Sequence, residues 1–159
     1  MMFREMQRKN KQLSEGECIS ILKTEKRGVL SVVGDNGYPY GMPMNHFYNE
    51  DDGCIYFHCG KQGHRTDSLK QDNKASFCVC DSGIINEGEW ALEINSVIAF
   101  GKIDIIDNAD IIADISYKLS RKFTDDEEYI KNEIDCFAHE TLILKMSVEH
   151  LCGKKVKEA

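Results

Sequence analysis

The sequence predicts an α+β fold with a mainly antiparallel sheet or barrel of six strands. A helical pattern opens the chain, several consecutive strand patterns follow it, and two helical patterns precede a last strand. Consecutive strands followed by helices are typical of α+β proteins rather than of alternating, parallel sheets. The GxGxxG and GxxxxGK[ST] motifs of parallel nucleotide-binding sheets are also absent from the sequence.

The helices are predicted from capping residues and apolar spacing. Ser14 and Glu17 form a capping box for the first helix, and Gly28 lies where that helix is expected to stop. Thr124 and Glu127 form the capping box expected for the last helix. Two apolar stripes have helical spacing, namely Ile111, Ile115 and Leu119 with Ile112 beside them, and Ile130, Ile134 and Phe137.

The six strands are separated by turn sequences. The first run, VLSVVG, ends at a turn formed by Asp35-Asn36-Gly37, and an extended segment from Tyr38 to Tyr48 follows. The other strand patterns are CIYFHC, KASFCVCD, NSVIAFGKIDIID and TLILKMSV. A short helix is expected around Thr66 to Gln71. The first half of the fifth strand is apolar on both faces, which predicts that both faces are covered.

Length and composition limit the class of protein. The 159 residues fit one domain (1–159), with a core of about residues 14–153 between basic tails. The net charge of -7 argues against a nucleic-acid partner. No stretch approaches the roughly 20 apolar residues of a membrane span, and MMFREMQRKNKQ lacks the apolar segment of a secretory signal. We therefore expect a cytoplasmic protein with no membrane partner.

The seven cysteines predict neither a disulfide framework nor a metal site. Their number is odd, and no CxxC pair occurs. Alternation along the third strand places Cys59 on the face opposite Cys54 and His58, which separates the ligands that a zinc site would need. Cys78 and Cys80 share one face of the fourth strand and could form a thiol pair or half of a metal site. We expect them instead to be small buried hydrophobic residues.

The densest polar cluster is YFHCGKQGHRTDSL. A strand ends at His58, a loop with Gly60 and Gly63 follows, and a helix begins. Backbone N–H groups at a helix N-terminus, flexible glycines and nearby cations are the components of a phosphate site. Arg65 can hold phosphate oxygens with two hydrogen bonds, whereas Lys61 provides a point charge. These residues alone support two interpretations equally, a phosphate site and a solvated basic turn.

Three longer segments resemble a known family. GVLSVVGDNGYPYGMPMNHFY, GCIYFHCGKQGHRTDSLKQDNKASFCV and SVIAFGKIDIID are similar to the 5-nitroimidazole-resistance (Nim) branch of the pyridoxamine 5'-phosphate oxidase-like superfamily. The resemblance covers roughly residues 14 to 153, including the closing LILKMSVEHLCGK. It implies a six-stranded FMN-binding split β-barrel with flanking helices. It also implies a homodimer with a flavin at each end of the interface.

The same resemblance implies positions for the flavin ring. The ring would lie against the strand at Pro43, Met44 and Asn45, mostly through backbone groups. Ser96 and Val97 match the strand by which a partner subunit helps to complete the site.

Further residues are implied for the phosphate and for the chemistry. Lys61, His64 and Arg65 match the turn that holds the FMN phosphate, although a histidine replaces one of two basic residues that are frequent there. A neutral histidine can still donate one hydrogen bond. His58 matches a histidine near the flavin and is the candidate catalytic residue, the alternative being a structural role at the strand end. Trp90 could pack over the flavin edge or shield the mouth of the barrel.

The implied activity is that of an FMN-dependent oxidoreductase. NAD(P)H or another reductant would supply two electrons, and a small acceptor such as a 5-nitroimidazole would receive them. Since the chain has no Rossmann motif, NAD(P)H is expected to bind only transiently. The alternative is a non-catalytic protein that binds or senses flavin or haem on the same fold. Oxidation of pyridoxamine phosphate is disfavoured because the chain lacks the arginine-bearing C-terminal segment expected of those enzymes.

Overall fold

The computed structural model describes residues 3–158. The strands are β1 (Arg27–Val33), β2 (Pro39–Asn45), β3 (Phe47–Asn49), β4 (Cys54–Gly60), β5 (Lys74–Cys80), β6 (Ile84–Ile85), β7 (Leu92–Ile106) and β8 (Thr141–Glu158). The helices are α1 (Glu15–Thr24), α2 (His64–Gln71), α3 (Ala109–Ser120) and α4 (Glu127–Phe137). All pairs of neighbouring strands are antiparallel.

The sheet curls because its two edges are joined by a single residue. The strand order is β2-β1-β5-β7-β8-β4-β3, with β6 paired to β7. β2 and β3 end this order on opposite sides, yet only His46 separates them in the chain. The two edges therefore come together, and the predicted α+β split barrel is confirmed. The strand count rises from six to eight because the predicted second strand breaks at His46 and because β6 was not predicted.

Two clusters of buried side chains hold the fold together. The larger fills the barrel, where the wholly buried rings of Phe57 and Phe77 pack edge to face with their centroids 4.9 Å apart. The smaller lies on the other face of β4 and β8, where Ile112 and Ile115 of α3 pack against Ile143. Helix α3 therefore covers Cys54 and Tyr56 on that face of β4, whereas His58, further along the same face, stays exposed.

The first helix begins as predicted but ends earlier. The capping box of Ser14 and Glu17 is present, and α1 stops at Thr24. Gly28 does not end the helix, because it lies within β1. A Cβ at this position would lie 2.6 Å from the Cζ atom of Phe77. Glycine is thus needed here for close packing against a core ring.

The predicted cap of the last helix is also wrong. Asp126, not Thr124, is the N-cap of α4, and its side chain accepts a hydrogen bond of 3.0 Å from the backbone N–H of Tyr129. The Thr124 hydroxyl instead accepts a hydrogen bond of 3.2 Å from the N–H of Asp126. Two capping side chains compete in this short sequence, and the one nearer to the apolar stripe begins the helix.

One outer face of the sheet is open in the single chain. Val29 of β1 lies opposite Cys78 of β5, and Cys78 lies opposite Ile98 of β7. All three side chains are exposed, as is that of Cys80. The expectations that the two cysteines are buried and that both faces of the fifth predicted strand are covered are therefore wrong for one chain. Strand alternation turns these side chains away from the barrel interior.

All seven cysteines are free thiols. Within residues 3–158, no group of three or more His, Cys, Asp or Glu side chains is placed to hold a metal ion. Over the same residues, every helix is too short or too polar to cross a bilayer.

Candidate functional site

A cleft of about 530 Å³ opens beside the ends of β2 and β4. It is lined by Arg27, Pro43, Met44, Asn45, His58, Cys59, Gly60, Arg65, Phe137, Glu140 and Thr141. This volume falls in the range of about 300–1,000 Å³ that is common for small-molecule sites. Five of the predicted site residues, which come from two separate segments, meet in this cleft: Pro43, Met44, Asn45, His58 and Arg65.

Two guanidinium groups in the cleft are held in place through their Nε atoms. Arg27 Nε donates a hydrogen bond of 3.0 Å to Asn45 Oδ1, and Arg65 Nε lies 3.0 Å from Met42 Sδ as a donor. Among the described residues, no carboxylate forms an ion pair with either arginine. The cleft wall also contains the exposed Glu140, whose Oε1 lies 3.5 Å from Nε2 of His139. Two cations against one exposed carboxylate leave the cleft attractive to an anion.

The N-terminus of α2 adds backbone donors next to Arg65. Gly63 precedes the helix with a φ of +134°, which L side chains rarely adopt. Because glycine has no side chain, Gly63 cannot cap the helix with a side-chain hydrogen bond. The Thr66 hydroxyl donates a 2.8 Å hydrogen bond to the Gly63 carbonyl and so does not occupy the first N–H groups of the helix. Uncapped N–H groups beside a guanidinium suit a phosphate. The helix begins at His64, two residues earlier than predicted.

His58 lies at the wall of the cleft near Arg65. Its side chain is exposed to solvent, but the protein atoms packed around the ring still disfavour the charged form. Burial, and to a smaller degree the positive charge of Arg65, lower the pKa of the His58 imidazole below its ordinary value. The ring is therefore neutral near pH 7. A neutral imidazole offers one hydrogen-bond donor and one acceptor, whereas it is a poor proton donor.

Two of the predicted phosphate ligands point to other partners. Lys61 Nζ lies 3.2 Å from Asp107 Oδ1 in an exposed ion pair. The His64 ring stacks on Tyr40 at a centroid distance of 4.2 Å, and its Nε2 lies 3.4 Å from Asp35 Oδ2. Neither residue lines the cleft. Of the three residues predicted to hold the phosphate, Arg65 is the one that lines the cleft.

The remaining predicted residues lie outside the cleft of their own chain. Ser96 and Val97 are on β7, and the Val97 side chain is wholly buried in the barrel core. Ser96 is the one of the pair that faces outwards. Trp90 lies in the loop before β7 with 78% of its surface exposed. The roles of these residues towards a partner subunit stay predictions.

Sequence reasoning missed Arg27, Phe137 and Thr141. The hairpin of β1 and β2 turns at Asn36, so that residues equally far from Asn36 pair, and Arg27 pairs with Asn45. The turn sequence therefore contained the signal for Arg27. Phe137 ends α4 and Thr141 begins β8, and the short segment between them brings both to the cleft, which no local pattern indicates.

Comparison with known proteins places the chain in a family. The model of a family described as pyridoxamine 5'-phosphate oxidase matches residues 14–155. Because this match spans most of the sequence, the chain belongs to that family. The superfamily predicted from sequence resemblance is thereby confirmed. No curated protein matches the chain.

Solved structures share the fold at low sequence identity. A Bacteroides thetaiotaomicron protein proposed to give 5-nitroimidazole antibiotic resistance has a TM-score of 0.76 and 17% identity, covering 92% of this chain and 87% of that one. A conserved hypothetical protein from Mycobacterium tuberculosis has a TM-score of 0.80 and 16% identity, with coverages of 94% and 89%. An FAD- and haem-binding protein from Mycobacterium smegmatis has a TM-score of 0.71 and 19% identity, with coverages of 94% and 74%. At these identities the similarity establishes the fold.

Proposed function

We propose that this protein binds FMN in the cleft and acts as an FMN-dependent oxidoreductase. The observation that supports this most is the pair of cleft arginines, Arg27 and Arg65, which form no ion pair with a described carboxylate and lie in a cleft that reaches the α2 N-terminus. Proteins of similar fold from Mesorhizobium loti and Mycobacterium smegmatis are described as FAD-binding.

The residues present fit a flavin. Arg65 and the first N–H groups of α2 would hold the phosphate. Gly60 and Gly63 leave open space where side chains would otherwise stand. The exposed Pro43 and the backbone of Met44 and Asn45 provide a surface for the ring, since the Met44 side chain itself is buried in the core.

The proposed reaction moves two electrons from a nicotinamide to a small acceptor. For a nitroaromatic, ArNO₂ + NAD(P)H + H⁺ gives ArNO + NAD(P)⁺ + H₂O. When bound, the flavin supplies the relay for these two electrons. His58, being neutral, would orient the acceptor or the ring by one donated and one accepted hydrogen bond. Phe137 and Pro43 would exclude water from the reacting face, because both side chains line the cleft.

A homodimer is part of this proposal. The exposed row of Val29, Cys78 and Ile98 begins next to the cleft, because Val29 also pairs with Pro43 on β2. Contiguous exposed apolar side chains commonly mark a protein interface. A second copy on this face would cover the row and bring its own Ser96 and Trp90 towards the cleft.

The test starts from purified protein. We expect a yellow protein with flavin absorption, release of FMN on denaturation as identified by chromatography and mass, and bleaching by NADPH or NADH without oxygen. Re-oxidation on adding a nitroimidazole should follow. Stoichiometric FMN that no nicotinamide reduces would contradict the oxidoreductase proposal. Released FAD in place of FMN would correct the cofactor.

The second candidate is a non-catalytic protein that binds or senses flavin or haem. Two proteins of similar fold favour it, the FAD- and haem-binding protein of Mycobacterium smegmatis and a flavocytochrome of Azotobacter vinelandii. A Soret band in the purified protein would indicate haem. Bound flavin without turnover by any nicotinamide or acceptor would indicate a binding function.

A further inference from the structure

A second pocket adjoins the cleft under the α3–α4 hairpin. Its volume is about 350 Å³. It is lined by Asn45, His58, Ser116, Leu119, Ser120, Phe123, Thr124, Tyr129, Glu133, Ile134, Phe137, Ala138 and Thr141. Four of these residues, Asn45, His58, Phe137 and Thr141, also line the cleft. The two cavities therefore share a wall, and His58 is accessible from both.

The chemistry of the second pocket differs from that of the cleft. Three aromatic rings line it, those of Phe123, Tyr129 and Phe137, together with Leu119 and Ile134. Aromatic side chains of this kind stack on planar rings. Hydroxyl groups from Ser116, Ser120, Thr124 and Thr141 and the Asn45 amide supply polar contacts. A volume of this size suits a small aromatic molecule.

The charges of the two cavities also differ. Arg27 and Arg65 line the cleft, whereas none of the lysines or arginines within residues 3–158 lines the second pocket. Among the same residues, Glu133 is the one carboxylate in its lining. Of the nearby cations, Lys122 donates to the carbonyl oxygens of Glu25 and His46 at 2.6 and 2.8 Å.

Two further cations near the pocket have partners of their own. Arg121 pairs with Asp125 and Glu127. Lys26 lies 5.3 Å from the centroid of the Phe123 ring but does not line the pocket. Over the part of the chain that the structure describes, the lining thus carries one exposed carboxylate and no cation, so it favours cationic and neutral molecules over anions.

We propose that this second pocket is the acceptor site, and that it takes an uncharged or cationic aromatic molecule and rejects an anionic one. The site lies beside the cleft because of the shared wall, so a ring held here would lie next to whatever the cleft holds. A phosphorylated aromatic substrate is disfavoured, since its dianion would meet Glu133 with no cation in the lining. The identification of the ligand as the electron acceptor rests on the proposed function. The existence of the pocket and its charge preference do not depend on that function.

The test uses three nitroaromatic probes of nearly equal size and different charge: 4-nitrobenzyl alcohol, 4-nitrobenzylammonium and 4-nitrobenzoate. Binding to the flavin-free full chain is measured by equilibrium dialysis and repeated in saturating FMN. We expect the neutral and cationic probes to bind at least about tenfold more tightly than the anion. FMN should leave this binding in place. Loss of probe binding on adding FMN would place the probes in the cleft and overturn the proposal, as would equal affinity for all three.

Two variants sharpen the test. Glu133→Gln should raise the affinity for the anionic probe towards that for the neutral probe, which itself should not change. Glu128→Gln, on the same helix but outside the pocket lining, should change neither affinity. Ser120→Phe should fill the pocket and weaken all three probes without changing FMN affinity. Unchanged probe binding in Ser120→Phe would contradict the site. Because the flavin-free chain is used, failure of FMN to bind would refute the proposed function and leave the pocket result standing.

Discussion

Arg27 and Asn45 face each other across the β1–β2 hairpin, and Arg27 Nε donates a hydrogen bond of 3.0 Å to Asn45 Oδ1. This bond fixes a guanidinium at the edge of the cleft without neutralising it, because the amide oxygen is uncharged. The pair thus orients a cation that sequence reasoning did not assign.

Replacing Arg27 should therefore weaken flavin binding. We expect Arg27→Ala to lower FMN affinity by about five- to tenfold, which is the effect of losing one partly exposed charge-assisted contact of about 1 kcal/mol. Arg8→Ala, which removes an exposed arginine far from the cleft in sequence, serves as the control. Titration of flavin-free protein with FMN, followed by flavin fluorescence, measures both. Equal affinities in the two variants would remove Arg27 from the site.

The ion pair of Lys61 and Asp107 should compete with phosphate for Lys61. We expect Asp107→Asn to raise FMN affinity by about two- to fivefold, because the freed ammonium then adds to the field at the phosphate. The double variant Asp107→Asn with Lys61→Met should lose that gain. Both side chains are exposed, so the free energy of unfolding should change by less than about 1 kcal/mol. Weaker FMN binding in Asp107→Asn would show that the pair itself positions the site.

The buried His46 should make the fold sensitive to acid. Its Nε2 lies 2.7 Å from the Leu22 carbonyl oxygen, which can only accept, so this nitrogen holds the proton of the neutral ring. Burial, reinforced by the charge of Lys122, lowers the pKa of His46 to about 4. The unfolded chain takes up a proton near pH 6.5, whereas the folded chain does not until about pH 4.

The stability that depends on neutral His46 is therefore complete above pH 6.5 and is lost as the pH falls towards 4. The loss should be on the order of 3 kcal/mol. Urea unfolding at pH 7 and pH 4.5 measures it. His46→Gln should be less stable at pH 7 but lose less on acidification, and His139→Gln, at an exposed position, should behave as the native chain. If His46→Gln lost as much stability between pH 7 and pH 4.5 as the native chain, the loss would belong to other titratable groups.

His58 gives the proposed activity a defined dependence on pH. Its pKa is lowered by burial and by Arg65, so the neutral ring predominates at pH 7 and is protonated only below pH 6.5. We expect the rate constant for acceptor reduction to be flat above pH 6.5 and to fall on acidification. His58→Gln should be about tenfold slower and lack that fall. A rate that rises as the pH falls would show instead that protonated His58 donates a proton.

Local sequence signals predicted the elements that a turn or cap defines. The capping box of Ser14 and Glu17 and the hairpin turn at Asn36 both lie where the sequence placed them, and the glycine-bearing turn does lead into the helix beside Arg65. Local residues determine these features, so their interactions can be anticipated from spacing alone.

Features that depend on distant contacts were not predictable in this way. The sequence around Gly28 is typical of a helix stop. The reason for glycine there is instead its close packing against Phe77, which lies far along the chain. Phe137 reaches the cleft through the path of the α3–α4 hairpin, which is fixed by contacts such as the 2.6 Å hydrogen bond from Lys122 to Glu25 O. The exposure of Cys78 could not be predicted, because the sequence of one strand does not indicate which of its faces the barrel encloses.

Phosphate recognition by Arg65 is the central feature of the proposed FMN site. The most direct measurement compares FMN with riboflavin, which lacks the phosphate, in titrations of flavin-free native protein and Arg65→Ala. We expect the native protein to prefer FMN by at least tenfold. Arg65→Ala should weaken FMN by roughly ten- to a hundredfold, or about 1.5–3 kcal/mol, and leave riboflavin nearly unchanged. Equal affinity of the native protein for FMN and riboflavin, or unchanged FMN affinity in Arg65→Ala, would contradict phosphate recognition by Arg65.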